Sequence, residues 1–363
     1  MQYISDFRNP RDSKILLDKI HQLSQKIDQP VNIMEVCGGH TYAIFRFGIN
    51  KALPERINLI SGPGCPVCVT DQSYIDEAIE YAKNPNVIIA TFGDIVRVPG
   101  SYSSLSREKS QGAVVEICYS PMEALTIAQK NPDKEVVFLG IGFETTVPLT
   151  ATVIMEAARL GIPNFSILSS HKTMPNALNI LLDSDGVVVN GLICPGHVSS
   201  ITGFSIYEYI VNELKIPAVI CGFESNDILQ TILMILQQIA NNEAKIENQY
   251  TRAVREHGNP RAQAVIKEVF SPVDSQWRGI GEIPDSGLEI AEKYRRFNVR
   301  NKLSVDIPEK KIIKGCICGK VMQGIKKPTD CKLFAKACTP QTPQGACMVS
   351  SEGGCATYYK FRE

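Results

Sequence analysis

Apolar residues along this chain come in short, dense, β-branched runs, each closed by Gly, Cys or Thr and followed by helical spacing. Eight recur: NIMEVCGGHT, INLISGPGCPVC, NVIIATFGDIV and AVVEICYSP, then EVVFLGIGFETT, NFSILSSHKTMP, GVVVNGLICPGHVSS and PAVICGFESND. Runs that are apolar at nearly every position suit strands buried on both faces. Their alternation with helices predicts βα units and parallel sheets. Starts near residues 32, 57, 86 and 113 are followed by starts near 135, 164, 186 and 217, an offset of roughly 100–107 residues. This regularity predicts an α/β fold with two similar parallel-sheet domains, residues 31–135 and 136–240, facing a cleft; one larger doubly wound sheet is the alternative.

Beyond residue 240 the texture changes. NNEAKIENQYTRAVREHGNPRAQAVIKEVF reads as polar-faced helices, SPVDSQWRGIGEIPDSGLEI as a Gly/Pro-rich connector, and the end of the chain carries six cysteines in about forty residues. Residues 1–30 with 241–363 are therefore expected to form a smaller helical and loop-rich domain, too poor in apolar residues for a large core unless a metal or cluster compensates.

Lys plus Arg and Asp plus Glu both number 38 among 363 residues, so the formal net charge is zero, which argues against nucleic acid as a partner. No apolar run approaches the roughly 18–20 residues of a membrane span, and the N-terminal MQYISDFRNPRDSKILL lacks a signal-peptide core; a cytoplasmic protein is expected. In a reducing compartment, twelve cysteines point to ligands or catalytic thiols rather than structural disulfides.

Ligands of doubly wound sheets bind beyond the carboxyl ends of the strands. Cys37 and His40, Cys65 and Cys68, Glu144, and His197 all fall at such ends. Cys118, Cys194 and Cys221 read as small buried hydrophobes, and His171 and His197 divide evenly between core and site roles. Cys65 and Cys68 form a C-x-x-C just ahead of a helix capped by Thr70 or Asp71, with Ile75, Ala78, Ile79 and Ala82 as its apolar stripe. A helix start lowers a thiol pKa, which suits a redox dithiol; a zinc site shared with Cys37 and His40, or an incidental pair, remains open. The tail gaps between cysteines are 1, 12, 6, 8 and 7 residues, without any C-x-x-C. That spacing suits an iron–sulfur cluster, with zinc or free thiols as alternatives.

The motifs MEVCGGHT (34–41), GPGCPVC (62–68), GFETT (142–146), CPGHVS (194–199) and DCKLFAKACTPQTPQGACMVSSEGGCA (330–356) together resemble the HypD family of [NiFe]-hydrogenase maturation proteins, from about residue 31 to the end of the chain. One departure is Tyr42, where many relatives carry a second histidine. The resemblance implies a scaffold that pairs with a small HypC-like chaperone and holds one iron while two cyanides and one carbon monoxide are attached. A HypE-like protein delivers the cyanide, made from carbamoyl phosphate by HypF, and the hydrogenase large subunit receives the finished unit. It also implies a [4Fe–4S] cluster, whose C-x14-C-x6-C-x16-C pattern selects Cys316, Cys331, Cys338 and Cys355 and leaves Cys318 and Cys347 over. Cys37 would then anchor the iron as a soft thiolate, Cys65 and Cys68 would relay electrons, and His40, Glu144 and His197 join them as candidate catalytic residues. A free-standing iron–sulfur-dependent thiol–disulfide reductase is the competing class. No Walker-type phosphate loop is present.

Overall fold

The computed structural model describes residues 5–362 apart from residues 185 and 312. Among the described residues, eleven strands form two sheets. The first is all parallel, in the order β2 (Ile57–Ser61), β1 (Val31–Glu35), β7 (Gly191–Pro195), β8 (Ala218–Cys221), β9 (Ile246–Asn248). The second runs β10 (Phe270–Trp277), β11 (Gly281–Ile290), β6 (Phe165–Lys172), β5 (Glu135–Gly142), β3 (Val87–Thr91), β4 (Val114–Ile117). Its four β3–β6 strands are parallel and the β10–β11 hairpin adds antiparallel along β6. The fold is thus α/β with two units. Both repeat one strand order: β2-β1-β7-β8 in the first matches β4-β3-β5-β6 in the second. The first strand of each unit is flanked by its second on one side and its third on the other.

The boundaries differ from the expected halves 31–135 and 136–240. β3 and β4 leave β1 and β2 and pair with β5, so the second unit is inserted into the first between β2 and β7. Burial decides this: every residue of β3 is buried, and a strand so apolar needs neighbours on both sides, which β4 and β5 provide. The third domain is also smaller than expected. The N-terminal helix Pro10–Ser24 packs on the helix Ser225–Ala240 of the first unit, with Ile20 in the same core as Ile228 and Leu229. β9 closes the first sheet, and the supposed connector 271–290 makes most of the β10–β11 hairpin. What remains is a tail after about residue 303, with the short helices Cys318–Met322, Ala346–Val349 and Gly354–Lys360.

One apolar core joins all three parts. It contains Met34 and Val36 from the first unit, Phe143 and Trp277 from the second, and Met322 and Cys347 from the tail. Cys65 and Cys68 lie within it. Among the described residues no helix is long and apolar enough to cross a membrane.

Candidate functional site

The first sheet reverses strand order between β1 and β7, and the segments leaving those strands carry the first group of candidate residues. Cys37 leaves β1 in extended conformation and caps the helix Gly38–Arg46. Gly64 is pressed against it: a Cβ there would lie 2.1 Å from the Cys37 nitrogen, and the Gly38 N–H donates to the Gly64 carbonyl at 3.1 Å. On the other side Gly38 touches the tail, since a Cβ on it would meet the Glu352 carbonyl at 2.4 Å. The Cys37 turn is therefore held between the C-x-x-C loop and the tail.

His40 is fully buried. Its Nε2–H donates to the Gly222 carbonyl at 3.0 Å and approaches that of Cys221 at 3.3 Å, while Nδ1 has no partner. Burial pushes its pKa down to about 4, so the ring is neutral near pH 7 and presents a bare acceptor nitrogen. Phe223 stacks on His40 at 4.5 Å and on the exposed ring of His197 at 3.9 Å. The Phe223 turn is fixed from behind: buried Asp227 accepts from Arg252 and Gln249, and Gln249 in turn accepts the Gly222 N–H at 3.1 Å. Three segments far apart in sequence thus bring Cys37, His40 and His197 to one place. Neither Phe223 nor its support carried a sequence signal beyond following a strand.

The electrostatics around Cys37 are short of positive charge. Burial, and then the nearby Glu352, push its thiol up to about 12. Glu35 at the end of β1 is pushed up to about 8 by burial, although it accepts from the Cys37 N–H at 3.1 Å and from Thr41 Oγ1. Glu352 is raised by burial and by Asp94, which accepts from Ser350 Oγ at 3.0 Å. Glu35 and Glu352 were not anticipated; their chemistry arises only from where the fold buries them.

Cys65 and Cys68 are disulfide-bonded and buried. Cys65 caps the turn Pro66–Val69, and Asp71 caps the helix Gln72–Ala82, whose Ile75, Ala78, Ile79 and Ala82 are buried as their spacing predicts. The disulfide shares a small cavity with Gly38, Thr41, Glu352 and Cys347. Cys347 also lines a second cavity together with Cys316, Cys318, Cys331, Cys338 and Cys355, otherwise walled by Ile317, Val321, Leu333, Phe334 and Met348. Burial raises Cys355, which also feels Cys318 and then Cys338, Cys316 and Cys331, so these five thiols lie close together; Cys318 in turn reaches Cys316 and Cys347. The Gln344 N–H donates to Cys338 Sγ at 3.4 Å. Soft thiols, apolar walls and an amide aimed at sulfur suit an iron–sulfur cluster. Among the described residues no group of three or more His, Cys, Asp and Glu is set to hold a single metal ion.

Glu144 stands apart, at the end of β5 where the second sheet reverses order. It is buried, accepts the Met174 N–H at 2.8 Å through Oε1, and leaves Oε2 without a partner. His171 is a core residue, bonded to Thr150 and Ser169. Tyr42 serves docking of the tail: its hydroxyl accepts from Lys360 at 2.8 Å, and next to it Phe45 packs on Tyr358 at 4.5 Å.

Fold and site together define a class: a two-unit α/β protein in which a buried disulfide lies between a single-cysteine turn and a cysteine-lined cavity. The chain matches the HypD family model, described as "Hydrogenase formation hypA family", over residues 12–362. It is 47% identical over 370 residues to the hydrogenase maturation factor HypD of Rhodobacter capsulatus, covering 99% of this chain and 98% of that one. A putative hydrogenase expression/formation protein of Methanocaldococcus jannaschii is 47% identical over 351 residues, 96% of this chain and 97% of that one. The hydrogenase maturation factor HypD of Escherichia coli is 42% identical over 374 residues, 100% and 99% of the two chains. The chain belongs to the HypD family.

Proposed function

We propose that the chain is a hydrogenase maturation factor that holds an iron atom at Cys37 while cyanide and carbon monoxide ligands are attached to it. The observation that carries the reading is that the turn following Cys37, through Gly38 and Thr41, lines one cavity with the Cys65–Cys68 pair, and that Cys347 links this cavity to the one lined by the six tail cysteines. Cys37 is a protonated thiol surrounded by Glu35 and Glu352, and a bound cation in place of its proton relieves that crowding of acidic groups. Gly38 and Gly39 leave the sulfur without side chains on the following turn, which lets a diatomic ligand or a partner's backbone come close. Neutral His40, its Nε2–H committed to the Gly222 carbonyl, offers Nδ1 as an acceptor beside the iron's place. A [4Fe–4S] cluster held by Cys316, Cys331, Cys338 and Cys355 would supply electrons one at a time. Opening the Cys65–Cys68 disulfide to two thiols takes two electrons and two protons. The partners on this reading are a small HypC-like chaperone that adds a second thiolate, a HypE-like cyanide donor and, downstream, the hydrogenase large subunit. All of these reactions belong in the cytoplasm.

The test is infrared spectroscopy of the protein purified with its small partner. Bands of metal-bound cyanide and carbon monoxide are expected, lost in Cys37→Ala while the visible absorbance of the tail persists. Unchanged bands in that variant would move the iron to another site. Absent bands together with disulfide reductase turnover independent of Cys37 would favour the free-standing reductase instead.

A further inference from the structure

The turn of the β10–β11 hairpin reaches out of the second unit and wedges between the disulfide helix and the tail. Gly279, at φ 73°, packs on Gly319 so closely that a Cβ on it would sit 2.3 Å from the Gly319 Cα. This contact places Arg278 between two elements. Its N–H donates to the Val69 carbonyl at 2.8 Å and its Nε–H to the Thr70 carbonyl at 2.8 Å, at the end of the turn that carries Cys65 and Cys68. On the other side, its charge is felt at Cys316 and Cys318. Arg278 is only 7% exposed, and Nη2 is buried with no hydrogen-bond partner. Charged groups are rarely buried unless a counter-charge or a full set of acceptors meets them. Arg278 has no acidic partner among the described ion pairs, and none of its bonds is to a carboxylate. Next to the Gly279–Gly319 contact, the thiols of Cys316 and Cys318 lie within reach of its charge.

We infer that Arg278 is a positioning residue whose fixed positive charge stabilises the thiolate-bound, reduced state of the tail cluster and couples its wall of the cavity to the disulfide helix. The inference rests on the cluster reading above. One-electron reduction adds one negative charge to the cluster, and a buried cation nearby favours that state over the oxidised one. An arginine suits this place better than a lysine, because its planar fork bonds the Thr70 carbonyl while leaving a donor to spare.

The test compares wild type with Arg278→Met, Arg278→Gln and Arg278→Lys, each reconstituted anaerobically with ferrous iron and sulfide. Iron and acid-labile sulfide are counted first, and the reduction midpoint is then followed by visible and electron paramagnetic resonance titration. Full iron content with a midpoint shifted to more negative potential in the Met and Gln variants, and a smaller shift in Lys, is expected. Iron lost from both neutral variants yet retained in Lys would equally show that the charge is required. An unchanged midpoint at full iron content, an equal shift in all three, or loss of iron from all three would overturn the inference and leave Arg278 a structural wedge. A wild-type protein that takes up no iron and sulfide would instead remove the cluster reading itself.

Discussion

Gly64 has no room for a side chain. A methyl group there would fall 2.1 Å from the Cys37 nitrogen and 2.3 Å from the Val36 carbonyl carbon, both backbone atoms that cannot swing aside. Gly64→Ala should therefore cost about 2–3 kcal/mol by overpacking and displace Cys37, lowering urea stability and the diatomic-ligand infrared bands together. Wild-type values for both would show that the turn yields easily. Glu144 makes a different prediction. Burial raises its folded pKa from 4.5 to about 7, so between those values the folded state binds more protons than the unfolded one. Stability from this group is present below about pH 4.5 and declines as pH rises towards 7. Glu144→Gln should melt as wild type does near pH 4.5 and higher than wild type above pH 7; a difference in melting temperature that does not change with pH would remove Glu144 as a titrating group. The placement of Cys37, His40, Cys65 and Cys68 just beyond strand ends was legible in the sequence, because each lies where a dense apolar run ends in glycine. Glu35, Glu352, Phe223 and Arg278 were not, since a carboxylate, an aromatic ring or a guanidinium becomes unusual only when buried, and burial of a single polar residue leaves no periodic trace.

Among elements, the strands declared themselves best. Seven of the eight runs start within a residue or so of the expected position; the seventh, expected near 186, pairs only from Gly191. Val187–Val189 precede the pairing, and Val188 is 63% exposed, so half of that apolar run lies outside the sheet. The β10–β11 hairpin was missed for the opposite reason. β10 is an edge strand with five exposed residues between its buried ends, and its Pro and Asp suggest a loop. Just beyond the hairpin, Arg300 locks the segment Val299–Asn301 to the helix that follows the disulfide. It grips buried Glu77 with two bonds of 2.7 Å and reaches Glu289 at 3.1 Å. Arg300→Ala strands Glu77 without a counter-charge. A loss of about 2–3 kcal/mol is expected, below that of a wholly buried pair because Arg300 is partly exposed, as read from chemical denaturation. The double variant Arg300→Ala, Glu77→Gln should recover part of it; a single variant as stable as wild type would mean that water already solvates the pair.

At the scale of the whole molecule, the strands were legible but their grouping was not: the offset of roughly 100–107 residues sets β1 against β5 and β2 against β6, whereas the matching strand orders set β1 against β3 and β2 against β4, because regular spacing along the chain does not record which strands pair. The insertion has a physical consequence. Residues 1–135 contain β1 to β4, but each of the two central strands among them lacks a neighbour: β1 needs β7, and β3 needs β5. Both missing contacts lie where the strand order reverses, in the middle of each sheet. Ile33, Met34 and all of Val87–Thr91 would lose the cover that keeps them from water. A fragment of residues 1–135 should accordingly show no cooperative thermal transition by circular dichroism, although it spans the whole of the first half that the offset suggests. Co-expressed with residues 136–363, it should be recovered as a stable complex with a single cooperative melt, since the break then falls at the first residue of β5 and every pairing strand is present. A cooperative melt of the fragment alone would mean that β1 to β4 can form a sheet of their own, and that the interleaved pairing is not the sole stable arrangement of these strands.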